Sequence, residues 1–221
     1  ARQRAEKQTD RETYQAMEGF VHNLNTMHSR AGAQTPFSSI NYGTDTSPEG
    51  RMAIRNVLLA EDAGLGHGET PIFPIHIFKV KEGVNYNESD PNYDLFQLSM
   101  KVSAKRLFPN YVFLDAPFNL QYYKPGHPET EVATMGCRTR VMGNVYDPTR
   151  QISYSRGNLS FTSINLPRLA IESNHDEKLF YQKLDKMMEL VAQQLLDRFE
   201  IQASKRVYNY PFLMGQGVWL D

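Results

Sequence analysis

One cysteine, Cys137, is all that the 221 residues contain. A lone thiol excludes a disulfide within the chain and agrees with a reducing compartment. Net charge is equally scant: 24 basic residues stand against 25 acidic ones, leaving -1. No surface-wide field therefore argues for nucleic acid or an anionic membrane as partner. No apolar run approaches the length of a bilayer span, and the opening Ala1-Arg2-Gln3-Arg4-Ala5-Glu6-Lys7 lacks the apolar core of a signal peptide. The expectation is a cytoplasmic protein. The six histidines show no metal-ligand spacing and have no partnering cysteines, so no metal site is expected within the chain. Internal repeats and low-complexity segments are absent as well.

What is present has the balance of an ordinary globular protein, 40% apolar and 22% charged residues. Met17, Phe20, Val21, Leu24 and Met27 recur at three- and four-residue steps, which predicts a first helix ending before Gly32. Residues 36–43 read as a strand. Ser47, Pro48 and Glu49 form a helix-start signature, with Ser at the N-cap, Pro in the first turn and an acid at the positive end of the dipole. That second helix carries Ile54, Val57 and Leu58 inward and ends near Gly64. Residues 72–80 are almost continuously apolar, the pattern of a strand covered on both faces. A third helix presents Tyr93, Phe96, Met100, Ala104 and Leu107, and a strand follows at 111–114. Residues 157–166 read as another strand, with Asn158, Ser160 and Thr162 on one face and Leu159 and Phe161 on the other. The last helix has Phe180, Leu184, Met187, Met188, Val191, Leu195 and Phe199 along one side, its methionines serving as core filler. Strand and helix alternate throughout, and the fold class is α/β with parallel strands. The chain starts without Met in a charged helical stretch and stops just after an apolar segment, which suggests an excised part of a longer polypeptide.

Cys137 lies in Ala133-Thr134-Met135-Gly136-Cys137-Arg138-Thr139-Arg140, between Lys124-Pro125-Gly126-His127-Pro128 and Gly143-Asn144-Val145-Tyr146-Asp147-Pro148. Neither flank continues a helix or strand regularly, so the thiol belongs at or near the tip of an excursion, with Gly136 allowing close approach of backbone to a ligand. Nucleophile, metal ligand, hydrogen-atom carrier and inert buried thiol all remain open for it. A cysteine hydrolase using His127 or His76 lacks an identified base. The polar row of Asn158, Ser160 and Thr162 fits either a wet interior or a solvated strand face. Thr46 and Ser47, at a helix start, could hold a phosphate or simply cap the helix. The segment His28-Ser29-Arg30-Ala31-Gly32-Ala33-Gln34 could recognise a nucleotide, although Arg and Gly also end helices.

Three stretches together carry a resemblance. They are Asn25-Thr26-Met27-His28-Ser29-Arg30-Ala31-Gly32-Ala33-Gln34-Thr35-Pro36-Phe37-Ser38-Ser39-Ile40-Asn41-Tyr42-Gly43, the Met135-Gly136-Cys137-Arg138-Thr139 loop, and Arg156-Gly157-Asn158-Leu159-Ser160-Phe161-Thr162-Ser163-Ile164-Asn165-Leu166-Pro167-Arg168. The chain closely resembles the central part of the catalytic subunit of anaerobic (class III) ribonucleoside-triphosphate reductases. That resemblance implies part of a ten-stranded α/β barrel, spanning 1–221, with an inserted finger loop at about 125–148.

It also implies roles. A glycyl radical outside this chain would oxidise Cys137 to a thiyl radical, which takes the ribose 3'-hydrogen of a ribonucleoside triphosphate. The 2'-hydroxyl then leaves as water, with formate as the usual reductant. Asn158 matches the asparagine that contacts the reacting ribose, and Met135, Gly136 and Ser160 are implied substrate contacts. Residues His28, Ser29, Arg30, Ala31, Gly32, Ala33 and Gln34 match the loop between allosteric nucleotide and substrate base. ATP and deoxynucleotide effectors, a radical-SAM activating enzyme and a homodimer follow from the family, as does zinc outside this chain. A thiyl radical is neutral, so Cys137 needs no lowered pKa and no His partner. The piece alone is expected to be inert and, with strand edges and apolar surface unpaired, to self-associate. A pyruvate formate-lyase type of glycyl-radical enzyme fits less well, because that group carries two adjacent cysteines where Gly136 and Arg138 flank one here. A nucleotide-binding or assembly module with a structural thiol is the alternative from another class.

Overall fold

Helix α1 spans Arg2–Thr26 of the computed structural model, which describes residues 2–27, 35–136 and 139–219. Contacts divide the chain into two units, Ala1–Tyr154 and Ser155–Asp221. In the first, β1 (Ser39–Tyr42), α2 (Pro48–Ala63), β2 (Ile75–Val80), α3 (Tyr93–Arg106) and β3 (Asn110–Phe113) alternate along the chain. A single turn, α4 (Pro117–Leu120), precedes a hairpin of β4 (Ala133–Met135) and β5 (Thr139–Val141). The second unit holds α5 (Leu166–Glu172) and α6 (Glu177–Ala203). The fold is mixed α/β, with a parallel sheet in the order β1-β2-β3. Among the described residues no helix is long and apolar enough to cross a membrane.

Helix α2 begins as its residues dictate. The Ser47 hydroxyl accepts the Gly50 N–H at 3.0 Å, and Pro48 fills the first turn. At the other end Arg106 of α3, itself buried, donates to the Asp62 carbonyl from Nε and Nη2, closing the C-terminus of α2. Ser47→Ala is expected to destabilise the start of α2 by about 1 kcal/mol. Amide hydrogen exchange at Gly50 and Arg51 of the full-length protein is the check, and unchanged protection would count against the cap.

The core lies between the sheet and its helices. Ile54 and Leu58 of α2, Phe78 and Val80 of β2, and Leu95 and Val102 of α3 form one buried cluster. Tyr42, Phe96 and Tyr111 surround Phe78, with ring centroids 5.6 to 6.1 Å apart. Full burial of each such apolar side chain is worth roughly 1.5–3 kcal/mol. Strand β2 is buried on both faces, apart from the half-buried Lys79. His76, Phe78 and Val80 face the helices, and Ile77 and Lys79 face the other way.

Three details depart from the sequence reading. The buried positions of α3 are Leu95, Ser99, Val102 and Arg106, about one residue out of phase with the expected stripe. Phe96 still packs against the core, but Met100 is exposed and Leu107 sits in a left-handed C-cap at φ 67°, pointing outward. The second departure is at 157–165, where no strand is present. These residues have no ladder partner among the described residues; the Leu159 carbonyl accepts from Gln202 and the Phe161 carbonyl from Arg198, both on α6. Asn165 then caps α5 by accepting the Arg168 N–H, so the chain turns helical where the strand was expected to continue. The third concerns α6, which has the expected phase, with Leu184, Met187, Val191 and Leu195 half-buried, yet no residue of it is fully buried and Met188 is 54% exposed.

Candidate functional site

The hairpin that flanks Cys137 is built onto the sheet face opposite the helices. Met135 of β4 pairs with Thr139 of β5, and Ala133 with Val141. Cys137 and Arg138 lie outside the described residues, and so does the segment 28–34. Gly136 is described, with φ +58°, a left-handed backbone that an L side chain rarely adopts. Among the described residues, a Cβ at that position would meet the Phe37 ring, at 3.6 Å. Backbone conformation rather than crowding therefore calls for glycine there.

Two contacts fasten the hairpin. Asn41, in the middle of β1, donates from Nδ2 to the Thr134 carbonyl at 2.7 Å and accepts the Thr134 N–H through Oδ1 at 2.9 Å. One side chain thus supplies both halves of a strand pairing. The Lys79 ammonium meets Glu131, two residues before β4, at 2.8 Å, with both side chains at most 20% exposed. Asn41 pairs in register with Ile77, so Asn41, Ile77 and Lys79 line the same face. Arg140 of β5 adds a bond to Asn119 at 2.9 Å and lies over the Phe118 ring.

The segment before 28–34 is held firmly too. Asn25, near the end of α1, accepts the N–H groups of Ile72 and Phe73 and donates to the Phe73 carbonyl. This ties the end of α1 to the approach of β2. At Thr46 and Ser47 the Gly50 amide of α2 is already engaged by the Ser47 hydroxyl. The Ser47 N–H donates to the Asp45 carboxylate, and Gly50 has that carboxylate directly over it. Hydrogen bonds from the Ser47 side chain and backbone hold the Asp45 pKa below its ordinary value. A phosphate arriving here would meet Asp45 first.

Asn158 and Ser160 belong to the second unit, where Asn158 is exposed and Ser160 half-buried. The neighbouring carbonyls, held by Gln202 and Arg198, lay this stretch along α6. Among the described residues no group of three or more potential metal-ligating side chains comes together.

Sequence reasoning passed over two features. One is Asn41, whose signal was an asparagine in mid-strand between Ile40 and Tyr42, a residue type strands disfavour unless its amide is used. The other is a buried polar set on the helix face. Tyr42 Oη is 2.8 Å from His76 Nδ1, and His76 Nε2 is 3.4 Å from the Glu61 carboxylate. His76 and Glu61 are completely inaccessible. Burial first, then the charge of Glu61 and the nearby Tyr111, push the Tyr42 phenol well above its ordinary value of 10.0. Tyr42 Oη and His76 Nδ1 share a hydrogen bond, and His76 Nε2 faces Glu61 with no hydrogen-bond partner among the described residues.

The sign of the resulting pH effect is fixed. Above the ordinary value the unfolded chain loses the Tyr42 proton while the folded chain keeps it, so the stabilisation is full below pH 10 and drains as pH rises toward the folded value. Tyr42→Phe should remove up to about 1.4 kcal/mol per pH unit of alkaline destabilisation. Denaturant midpoints of wild type and variant between pH 9 and 11 check this, and parallel pH curves would contradict it.

The comparisons agree with one another. The family model for anaerobic ribonucleoside-triphosphate reductase matches residues 2–221. Proteins of that name from Salmonella typhimurium and Escherichia coli are each 32% identical over 214 residues, covering 96% of this chain. The one from Enterobacteria phage T4 is 32% identical over 220 residues, covering 97%. The chain spans 29% of the length of the two bacterial relatives and 35% of the phage one. With a match along essentially all of its length, the chain belongs to the anaerobic ribonucleoside-triphosphate reductase family.

Proposed function

We propose that the full-length polypeptide to which these residues belong reduces ribonucleoside triphosphates to 2'-deoxyribonucleoside triphosphates, and that Cys137 carries the reacting radical. The observation that carries this reading is the β4–β5 pair flanking Cys137 in sequence, fastened by Asn41 and Lys79 to the sheet face away from the helices, in a chain of this family. A parallel sheet with helices on one face and the hairpin on the other supports the reading of a closed ten-stranded barrel, to which these three strands would belong.

In this scheme a glycyl radical elsewhere in the polypeptide, generated by a radical-SAM activating enzyme, takes the hydrogen atom of the Cys137 thiol. The thiyl takes the ribose 3'-hydrogen, the 2'-hydroxyl leaves as water, and formate supplies two electrons and is oxidised to carbon dioxide. Substrate, formate and a proton thus become deoxynucleotide, carbon dioxide and water. Asn158 offers an uncharged amide that donates and accepts at the ribose hydroxyls, with Ser160, Met135 and Gly136 as further substrate contacts. Residues 28–34 connect effector and substrate base: ATP or a deoxynucleotide alters the loop, and the loop alters which base binds. A homodimer and a zinc site outside the chain complete the proposal.

The test is anaerobic assay of the activated full-length protein with each ribonucleoside triphosphate, with and without formate, measuring deoxynucleotide formed. Formate-dependent product supports the whole scheme. Product with a dithiol but not formate would replace the reductant alone, and no product under any condition would overturn the activity.

A further inference from the structure

We infer that Asn41 is a positioning residue for the proposed radical chemistry, holding the Cys137 hairpin at one height on the sheet; this rests on the reductase reading above. The geometry is unusual in economy. A strand at a sheet edge ordinarily aligns a neighbour through a ladder of backbone bonds, which would commit several residues to regular pairing. Here β4 is paired along one side with β5. Toward β1 it is joined by the amide of Asn41, which takes both the N–H and the carbonyl of Thr134. The bonded residue is two positions from Gly136 and three from Cys137, on a three-residue strand.

The bonds of Asn41 lie where they set position rather than bulk stability. The helix-facing core of the first unit, centred on Phe78 and Leu58, lies on the other side of the sheet and does not involve Asn41. The hairpin retains its own β4–β5 ladder and the Lys79–Glu131 ion pair when Asn41 is changed. Loss of the amide therefore frees β4 to shift or tilt against β1 while the unit stays folded. Hydrogen-atom transfer is steep in distance, and a displacement of about 1 Å at a reacting group costs roughly a hundredfold in rate.

The experiment uses activated full-length enzyme with Asn41→Ala and Asn41→Asp, beside wild type and Cys137→Ser. Asn41→Ala is expected to lower kcat by about ten- to a hundredfold, with the KM for ribonucleoside triphosphate within about threefold of wild type and the glycyl-radical signal undiminished. Asn41→Asp keeps the acceptor for the Thr134 N–H but sets a carboxylate oxygen against the Thr134 carbonyl, so its kcat should fall as well. It also decides the matter if the alanine variant does not fold. Wild-type kcat in either folded variant would overturn the inference. So would a loss shared equally by radical yield and amide protection of β2, since that is a structural role. If wild-type enzyme makes no deoxynucleotide, the reductase reading itself fails; a working wild type with an indifferent Asn41 removes the positioning role alone.

Discussion

Full-length enzyme carrying Cys137→Ser is expected to form deoxynucleotide at less than about a thousandth of the wild-type rate, a barrier higher by ~4 kcal/mol or more. The reason lies in bond strength. A glycyl radical and a thiol exchange a hydrogen atom at modest energetic cost, and the thiyl so formed can take hydrogen from a ribose carbon. An alcohol O–H bond is far stronger, so the radical cannot move onto a serine hydroxyl at this position, and the chain of transfers stops before substrate. The substitution replaces sulfur with a smaller atom at the same position, between β4 and β5, and should leave their pairing intact. Amide protection across 133–135 and 139–141 therefore serves as the control: lost activity with unchanged protection assigns the effect to chemistry.

The largest stability effect is expected at Glu61. Glu61→Ala removes a completely buried carboxylate that lies 3.4 Å from His76 Nε2 and opens a cavity in a place that solvent does not reach. Lost packing and the cavity together cost about 2–5 kcal/mol. Glu61→Gln fills the same space with nearly the same shape, so it should cost well under half as much. Hydrogen exchange of the β2 amides in the full-length protein, combined with urea titration, measures both. Equal costs for Ala and Gln would mean that the carboxylate itself, rather than the space it fills, carries the stability, and a cost below about 1 kcal/mol for Ala would contradict the account.

Much of the frame was legible because local rules and global packing agree. Ser47, Pro48 and Gly64 mark the limits of α2 through capping chemistry that depends only on neighbours, and they hold to the residue. The continuous apolar run of β2 likewise announces a strand covered on both sides, which it is. The reading failed where packing decides between two patterns of equal period. In α3, Leu95 and Val102 compete with Phe96 and Met100 for the inward face, and the former take it while Phe96 packs at the edge of the cluster. Residues 157–165 carry a fair strand alternation, yet a strand exists only when another backbone accepts its bonds, and α6 side chains take those carbonyls instead. The candidate site divides the same way. Its residues were visible as motifs, whereas the bond from Asn41 to Thr134 joins positions 93 apart in sequence, and no local signal specifies that pairing. The Tyr42, His76 and Glu61 set is spread over β1, β2 and α2 and is equally a product of the fold.

The central claim is that Cys137 stands between radical storage and substrate. The most direct measurement records electron paramagnetic resonance and deoxynucleotide formation in one anaerobic sample of activated, full-length Cys137→Ser protein. The account predicts a glycyl-radical signal of wild-type intensity, stable in the presence of ribonucleoside triphosphate and formate, with no deoxynucleotide. Deoxynucleotide at the wild-type rate from that sample would contradict it.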